Sequence, residues 1–414
     1  MELKFLGGAR EVGRSAVFVD TGREKLVLDY GVEVQEGKKP LKPPLGPDGV
    51  VITHAHLDHS GFAPALYCMG YQGKVFATSA TFGLTSLLLE DSLKVQRKRG
   101  AEPGFTEHDI ERMGKRESVL EFGRPMEFGS STIELFRAGH IPGAAAVSVD
   151  SRGVSMLYTG DIKFMPTDLM RGAEIGRRHV DVLVSESTYS YKDHPDRRKL
   201  RAQLLSIVES TCQNGGVALL PAFAVGRTQE LLVMLRGIGF PVYLDGMGSR
   251  ATRSILAHPD FVQDAGALGD AFGCATVIRR GSERKDVVGS PGIIITTAGM
   301  LQGGPAGTYM DLLRHRRDCS MVLTGYQVEK TPGKMLLETG VYSDGAREYR
   351  PEFPVHFLDF SAHTDRSHLL EFFRRMNPGK LVLVHGDRTV EFAEELRGMG
   401  FDAVAPAVGE SIRI

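Results

Sequence analysis

Four side chains able to hold a metal ion fall within the six positions His54-Ala55-His56-Leu57-Asp58-His59. The apolar, β-branched run Val50-Val51-Ile52 ahead of them reads as a buried strand, and Ser60-Gly61 before the apolar Phe62 to Met69 reads as the turn into a helix. The polar cluster therefore stands at a strand's C-terminal edge. Two apart on an extended segment, His54 and His56 project to the same side, while Asp58 and His59 leave the turn toward a neighbouring point. Such an arrangement suits two metal ions a few ångström apart, and imidazole nitrogen with one carboxylate suits zinc best. A plain polar loop between strand and helix has no need of four such residues.

Other strand signals end in the same way. Lys25 to Leu28 runs into Asp29-Tyr30-Gly31, Thr132 to Phe136 leads to His140, and Val154 to Leu157 leads to Thr159-Gly160-Asp161. Each of these alone reads as a turn residue. Gathered with His54 at one edge of one sheet system, they form a cluster of histidines and aspartates. Asp161 is then the natural bridging carboxylate, because one carboxylate can offer an oxygen to each of two cations.

The elements that must position these groups begin with Leu3 to Leu6, Ala16 to Val19 and Lys25 to Leu28, short strands separated by glycines. Lys74 to Thr78 reads as a strand and Ser79 to Arg99 as a long helix, with Phe82, Leu84, Leu87, Leu88 and Leu93 on its apolar face and a basic tail from Lys94 to Arg99. From about Ser190 to Phe353 the pattern changes. A helix over Arg197 to Gln213, a strand over Val217 to Pro221, a helix over Gln229 to Gly237 and strands over Val242 to Leu244, Ile293 to Thr297 and Met321 to Thr324 argue for a parallel sheet covered on both faces. Within this block a turn at Gly226 precedes a helix that begins near Thr228, so backbone N–H groups and Arg227 are expected to face a phosphate; the alternative is an ordinary connection with a solvent-facing arginine. Arg279-Arg280 and Arg314-His315-Arg316-Arg317 are basic clusters able to supply a local field.

Composition bounds the partners and the compartment. At 414 residues and 42% hydrophobic content the chain can bury a large core in one big or two medium domains. A formal net charge of -1 excludes a global positive field, so any nucleic acid must be met by local patches. Cys68, Cys212, Cys274 and Cys319 are scattered without a C-x-x-C pair, which argues against a disulfide framework and against cysteine-ligated zinc. The N-terminal residues are too poor in apolar content for a signal peptide, and no apolar run approaches a membrane span. A soluble, cytoplasmic protein in a reducing setting is expected.

The order Asp29, His54-x-His56-x-Asp58-His59, His140, Asp161 resembles that of the metallo-β-lactamase superfamily. Val182-Leu183-Val184-Ser185-Glu186-Ser187-Thr188-Tyr189 resembles motif A of its β-CASP nucleic-acid-processing branch, Phe360-Ser361-Ala362-His363-Thr364-Asp365 resembles motif B, and Val382-Leu383-Val384-His385-Gly386-Asp387 resembles motif C. The motifs occur in family order and frame nearly the whole chain. The form of motif B is more similar to the nuclease subunit of cleavage and polyadenylation specificity factor, and its prokaryotic relatives, than to ribonuclease J. The resemblance implies an α/β architecture: an αββα metallo-β-lactamase sandwich in residues 1–188, an inserted parallel-sheet β-CASP domain in 189–353, and completion of the sandwich by 354–414. A cleft between the two bodies is the expected place to grip a polymer strand.

The same resemblance implies two zinc ions, one held by His54, His56 and His140, the other by Asp58, His59 and His385, with Asp161 between them. A hydroxide shared by the two ions would attack the phosphodiester. Asp29 is assigned to orienting a ligand histidine through a hydrogen bond. His363 is the expected general acid for the leaving 3′ oxygen, Glu186 keeps it protonated, and Gly226, Arg227 and Ser361 contact substrate. The implied activity is endonucleolytic hydrolysis of single-stranded RNA in processing or decay. Alternatives are a 5′-to-3′ exoribonuclease of the ribonuclease J type, a small-molecule metallo-hydrolase, which would have no use for the insert, and an inactive RNA-binding subunit, which would be expected to have lost ligands. Recognition then rests on the cleft or on a partner, either a second copy in a homodimer or a larger RNA-processing complex, with no membrane involved.

Overall fold

The computed structural model describes every residue except Arg99, Arg177 and Arg178. It divides into two compact units, residues 1–166, 170–193 and 362–414 forming one and 167–169 with 194–361 the other.

The first unit is built on two seven-stranded sheets. One runs, edge to edge, through Ser411–Arg413, Glu2–Gly7, Ala16–Asp20, Lys25–Leu28, Gly49–Val51, Lys74–Ala77 and Glu117–Val119. The other runs through Ala403–Val404, Lys380–Val384, Val182–Glu186, Val154–Tyr158, Ala145–Ser151, Ser131–Arg137 and Met126–Phe128. Their central strands are mostly apolar, and the period of two decides where each side chain goes. Leu3, Phe5, Val17, Val19, Leu26 and Leu28 of one sheet join Val147, Val149, Met156, Tyr158, Val182, Val184 and Val382 of the other in a single core between the sheets. The intervening residues turn outward. Phe18 and Val27 pack with Leu66, Tyr67, Phe82, Leu89 and Leu93 of helices Ala63–Cys68 and Ser79–Lys98. Leu157, Leu183, Leu381 and Leu383 pack with Leu369, Phe372, Phe373, Phe392 and Leu396 of helices Arg366–Met376 and Thr389–Gly398. The result is the expected αββα sandwich, its central strands buried on both faces because helices cover both. A slip of one residue in any central strand would exchange its two faces, so register is tightly specified.

The second unit carries a six-stranded sheet in the order Thr276–Ile278, Val242–Asp245, Gly292–Thr296, Val217–Pro221, Ser320–Leu323, Val355–Phe357. Every pairing in it is parallel, as the alternation of helices and strands requires. Helix Arg197–Gln213 and strand Val217–Pro221 have the bounds read from sequence. The next helix spans Arg227–Met234 instead of 229–237.

The boundaries expected at 188/189 and 353/354 shift to 193/194 and 361/362. Val355–Phe357 is the reason for the second shift: it pairs with Ser320–Leu323 as an edge strand of the six-stranded sheet, so the chain returns to the sandwich only at Ala362. The long helix after residue 78 begins where expected, with Thr78 Oγ1 accepting the N–H of Thr81 at 3.2 Å. Its expected last residue, Arg99, lies outside the described residues.

Candidate metal centre

Strand direction gathers the polar residues. Lys25–Leu28 and Gly49–Val51 are parallel, as are Val154–Tyr158, Val182–Glu186 and Lys380–Val384. Ser131–Arg137 points the same way as Val154–Tyr158, because both are antiparallel to Ala145–Ser151 between them. Asp29, His54, His140, Asp161, Glu186 and His385 therefore all leave the C-terminal ends of strands in this one unit. Leu57–Ser60 forms a helical turn that presents Asp58 and His59. It is held by Ser15 N–H to the Asp58 carbonyl at 2.7 Å, Tyr30 N–H to the His59 carbonyl at 2.8 Å and Val32 N–H to the Leu57 carbonyl at 2.9 Å. Gly31 makes this approach possible, since a Cβ there would lie 1.8 Å from the Asp58 carbonyl oxygen.

Asp161 sits in the middle. Its Oδ2 is 3.6 Å from His54 Nε2 and 3.5 Å from His140 Nε2, and its Oδ1 is 3.3 Å from both His59 Nε2 and His385 Nδ1. His140 Nε2 lies 3.1 Å from His56 Nδ1, and Asp58 Oδ2 lies 3.3 Å from His385 Nε2. Two groups result: His54, His56, His140 and Asp161, and Asp58, His59, Asp161 and His385. Donors about 2.0–2.2 Å from one tetrahedral ion lie roughly 3.3–3.6 Å from each other, so these separations fit shared ligation. His54 Nε2 and Asp161 Oδ1 are buried with no hydrogen-bond partner among the described residues. Buried polar atoms are normally satisfied, and orphans converging from two strands are what a cation site leaves open. The residues fit a metal.

Neighbours fix the rings. His59 Nδ1 faces Asp29 Oδ2 at 2.7 Å, which turns Nε2 toward Asp161. Asp29, in the left-handed region at φ 57°, is itself held by the Thr53 N–H at 2.7 Å, Thr53 Oγ1 at 2.8 Å and the Tyr158 hydroxyl at 3.0 Å. His140 Nδ1 bonds the Ala362 carbonyl at 2.9 Å, again leaving Nε2 to the site. Thr53, Tyr158 and Ser15, whose hydroxyl is 3.3 Å from His59 Nε2, are contributors that sequence reasoning misses. For Tyr158 the available signal is its place at the strand end just ahead of Thr159-Gly160-Asp161.

Charge divides the cluster. Burial pushes the pKa of His54, His56 and His140 down, leaving the neutral imidazole that can donate a lone pair to a cation. Burial opposes protonation of His59 and His385 as well, but the carboxylates together outweigh it and both are raised, by Asp161 and Asp29 at His59 and by Asp161 and Asp58 at His385. Burial alone would raise Asp161, yet His385 and His59 hold it well below the usual carboxylate range.

His363 stands at the rim of the cluster, its Nδ1 2.9 Å from Glu186 Oε2 and 3.1 Å from Oε1. Burial works against its charged form, but Glu186 and Asp161 prevail and raise its pKa to about 9. Its carbonyl accepts from Lys163 Nζ at 2.9 Å. Asp161, Glu186, His363 and His385 also have donor atoms within 4.8 Å of one another. Glu186 is already committed, because Oε1 accepts the Ile162 N–H at 2.7 Å while both oxygens face His363. That favours a proton-holding pair over a third ligand set.

The residues expected to contact substrate are placed differently. Arg227 is buried, its guanidinium bonded to Glu230 and to the Phe360 carbonyl, so it does not present a free fork to a phosphate. The Gly226 N–H is taken by Gln229 Oε1 at 2.7 Å, and Ser361 is buried. In the basic run at 314–317, His315 and Arg317 share Glu352 and Arg316 pairs with Asp318, while the Arg314 guanidinium lies over the Tyr349 ring. Among the described residues no helix is long and apolar enough to cross a membrane.

Residues 9–67 match the metallo-beta-lactamase superfamily, 228–336 the Beta-Casp domain, and 352–406 the Zn-dependent metallo-hydrolase RNA specificity domain. A probable RNase of Methanocaldococcus jannaschii, MJ4, is 35% identical over the full length of both chains. The RNase aCSPSF2 of Saccharolobus solfataricus is 34% identical over 100% of this chain and 85% of its own. The transcription termination factor FttA of M. jannaschii is 35% identical over 96% of this chain and 69% of its own. A crystal structure of a protein of unknown function from Enterococcus faecalis has the same fold, with a TM-score of 0.62 at 14% identity over 99% of both chains.

Proposed function

We propose a function from one premise: this chain belongs to the β-CASP family of metallo-β-lactamase-fold hydrolases. It is a nuclease that hydrolyses phosphodiester bonds of single-stranded RNA, cutting endonucleolytically and depending on two zinc ions. His54, His56 and His140 would hold one ion and Asp58, His59 and His385 the other, with Asp161 offering an oxygen to each group. The observation that carries this reading is Asp161 itself, with one oxygen facing each histidine group. When bound, the ions supply an activated water and neutralise the non-bridging oxygens of the phosphate.

The chain's own residues do the rest. Asp29 fixes the tautomer and direction of His59. His363, held protonated at neutral pH by Glu186, donates a proton to the leaving 3′ oxygen. Relatives that carry the name RNase, and the matched RNA specificity domain, support RNA as the substrate.

Purified protein incubated with RNA labelled at its 5′ end, with and without chelator, tests the reading. Chelator-sensitive fragments of intermediate length are expected, absent in a variant carrying Asp58→Ala and His59→Ala. Immediate mononucleotide release would replace endonucleolytic with 5′-to-3′ exonucleolytic cutting, and intact RNA alongside thioester turnover would sink the nuclease.

A further inference from the structure

A row of stacked rings leads out of the metal centre, and none of the roles assigned above uses it. Tyr189, buried, has its ring centroid 6.2 Å from that of His363 at an interplanar angle of 34°. Tyr191 lies 6.0 Å beyond Tyr189 and nearly parallel to it, at 14°, and is 43% exposed. Lys192 Nζ is 5.0 Å from the Tyr189 centroid and 5.9 Å from that of Tyr191, while the Arg388 guanidinium carbon is 4.9 Å from the Tyr191 centroid. All of these residues belong to the sandwich unit.

The mount is rigid. The segment after strand Val182–Glu186 is tied down by the Ser187 N–H to the His385 carbonyl at 3.2 Å and by Thr188 Oγ1 to the same carbonyl at 3.0 Å. Arg366 adds its N–H to the Lys192 carbonyl at 3.2 Å and Nη1 to the Ser190 carbonyl at 2.9 Å. Asp193, the acid next in sequence, is occupied by the N–H and hydroxyl of Ser367, each at 2.8 Å. A tyrosine serving only the core would be buried. Tyr191 instead is 43% exposed, next to Tyr189 and with two cations beside its ring.

We propose that Tyr191, backed by Tyr189 and flanked by Lys192 and Arg388, is a positioning residue that stacks a base of single-stranded RNA beside the scissile phosphate. Aromatic faces accept any base, whereas the two cations suit the backbone phosphates on either side of it. Duplex bases are already stacked, so the shelf also selects for a single strand. This inference rests on RNA being the substrate, and it deepens that reading by assigning a base subsite.

The test measures affinity independently of cleavage, using the full-length protein and a non-cleavable 2′-O-methyl oligoribonucleotide. Tyr191→Ala is expected to weaken binding roughly tenfold, and Tyr191→Phe and Tyr191→Trp to stay within about twofold of the parent. An abasic site scanned along the oligonucleotide should cost the parent a similar factor at one position and cost Tyr191→Ala nothing there. On cleavable RNA, KM rises while kcat holds. Arg388→Gln should reduce the slope of log affinity against log salt by about one. Unchanged affinity in Tyr191→Ala overturns the proposal, as does a Phe variant as weak as Ala, or an altered oligomeric state with RNA affinity intact, which would mean the ring meets protein. A parent that binds RNA through Tyr191 but cuts none refutes the reaction proposed above and leaves the shelf standing.

Discussion

Each unit buries a cluster of charged side chains, and the two clusters are built on opposite rules. In the sandwich, Asp161 is surrounded by imidazoles, several of them neutral, and its Oδ1 and His54 Nε2 have no hydrogen-bond partner among the described residues. In the inserted unit, Glu230 has one oxygen on Arg197 and the other on Arg227, and both guanidiniums lie over the Phe360 ring. The difference lies in who carries the positive charge. A guanidinium brings a permanent cation and completes the pairing, while an imidazole brings only a lone pair and leaves room for a metal. A buried carboxylate is thus informative about function only together with the residues around it.

Substitutions can break this comparison, the largest effect first. Asp161→Asn replaces one of the two carboxylate oxygens, each of which faces one histidine group; metal content by mass spectrometry should fall and RNA cleavage drop by more than about 10³-fold. Glu230→Ala leaves the buried Arg227 guanidinium and the half-buried Arg197 guanidinium without their carboxylate. Thermal or urea unfolding should show a loss of about 3–5 kcal/mol, with the metal content of the folded protein unchanged; a matching loss of metal would mean that the clusters do not differ as described.

Smaller effects sharpen it. Asp29→Asn keeps the shape but weakens the hold on His59, and titration against a competing chelator should show metal affinity lower by about 10–100-fold. Glu186→Gln bears on protonation alone. His363 has its pKa raised to about 9, so its proton is present at neutral pH and lost as pH rises through that value. Without the Glu186 charge the high-pH limb of the rate profile should move down toward the ordinary histidine value of about 6.5, with metal content retained. A profile that does not move would remove His363 from the role of acid.

The contrast also accounts for which parts of the molecule are legible in the amino-acid sequence. His54 to His59 can be read because their spacing and their place at a strand end are local facts, and the apolar runs of both sheets announce themselves by composition. His363 and His385 have no such signal: only pairing of Lys380–Val384 with Val182–Glu186 brings His385 beside residues hundreds of positions earlier, and family resemblance supplies what local pattern cannot. Arg227 is misread because sequence does not show which side of a helix faces inward, although Glu230 three residues on is a visible partner. Thr53 and Tyr158 escape notice because their roles consist of hydrogen bonds to Asp29, which no spacing rule encodes. The edge strand Val355–Phe357 falls to the wrong body since three residues carry too little pattern to name their partner.

The insertion of one unit into the other sets an order of assembly in time. A ribosome has made His54, His56, His140 and Asp161 before the inserted unit begins, whereas Asp58, His59 and Asp161 must wait for His385 until that unit has been translated in full. The strand that positions His385 pairs across this gap with Val182–Glu186, a contact of high sequence separation that forms late and slowly. Birth of the protein therefore proceeds through a nascent chain with one candidate metal-holding group complete and the other still missing its last member.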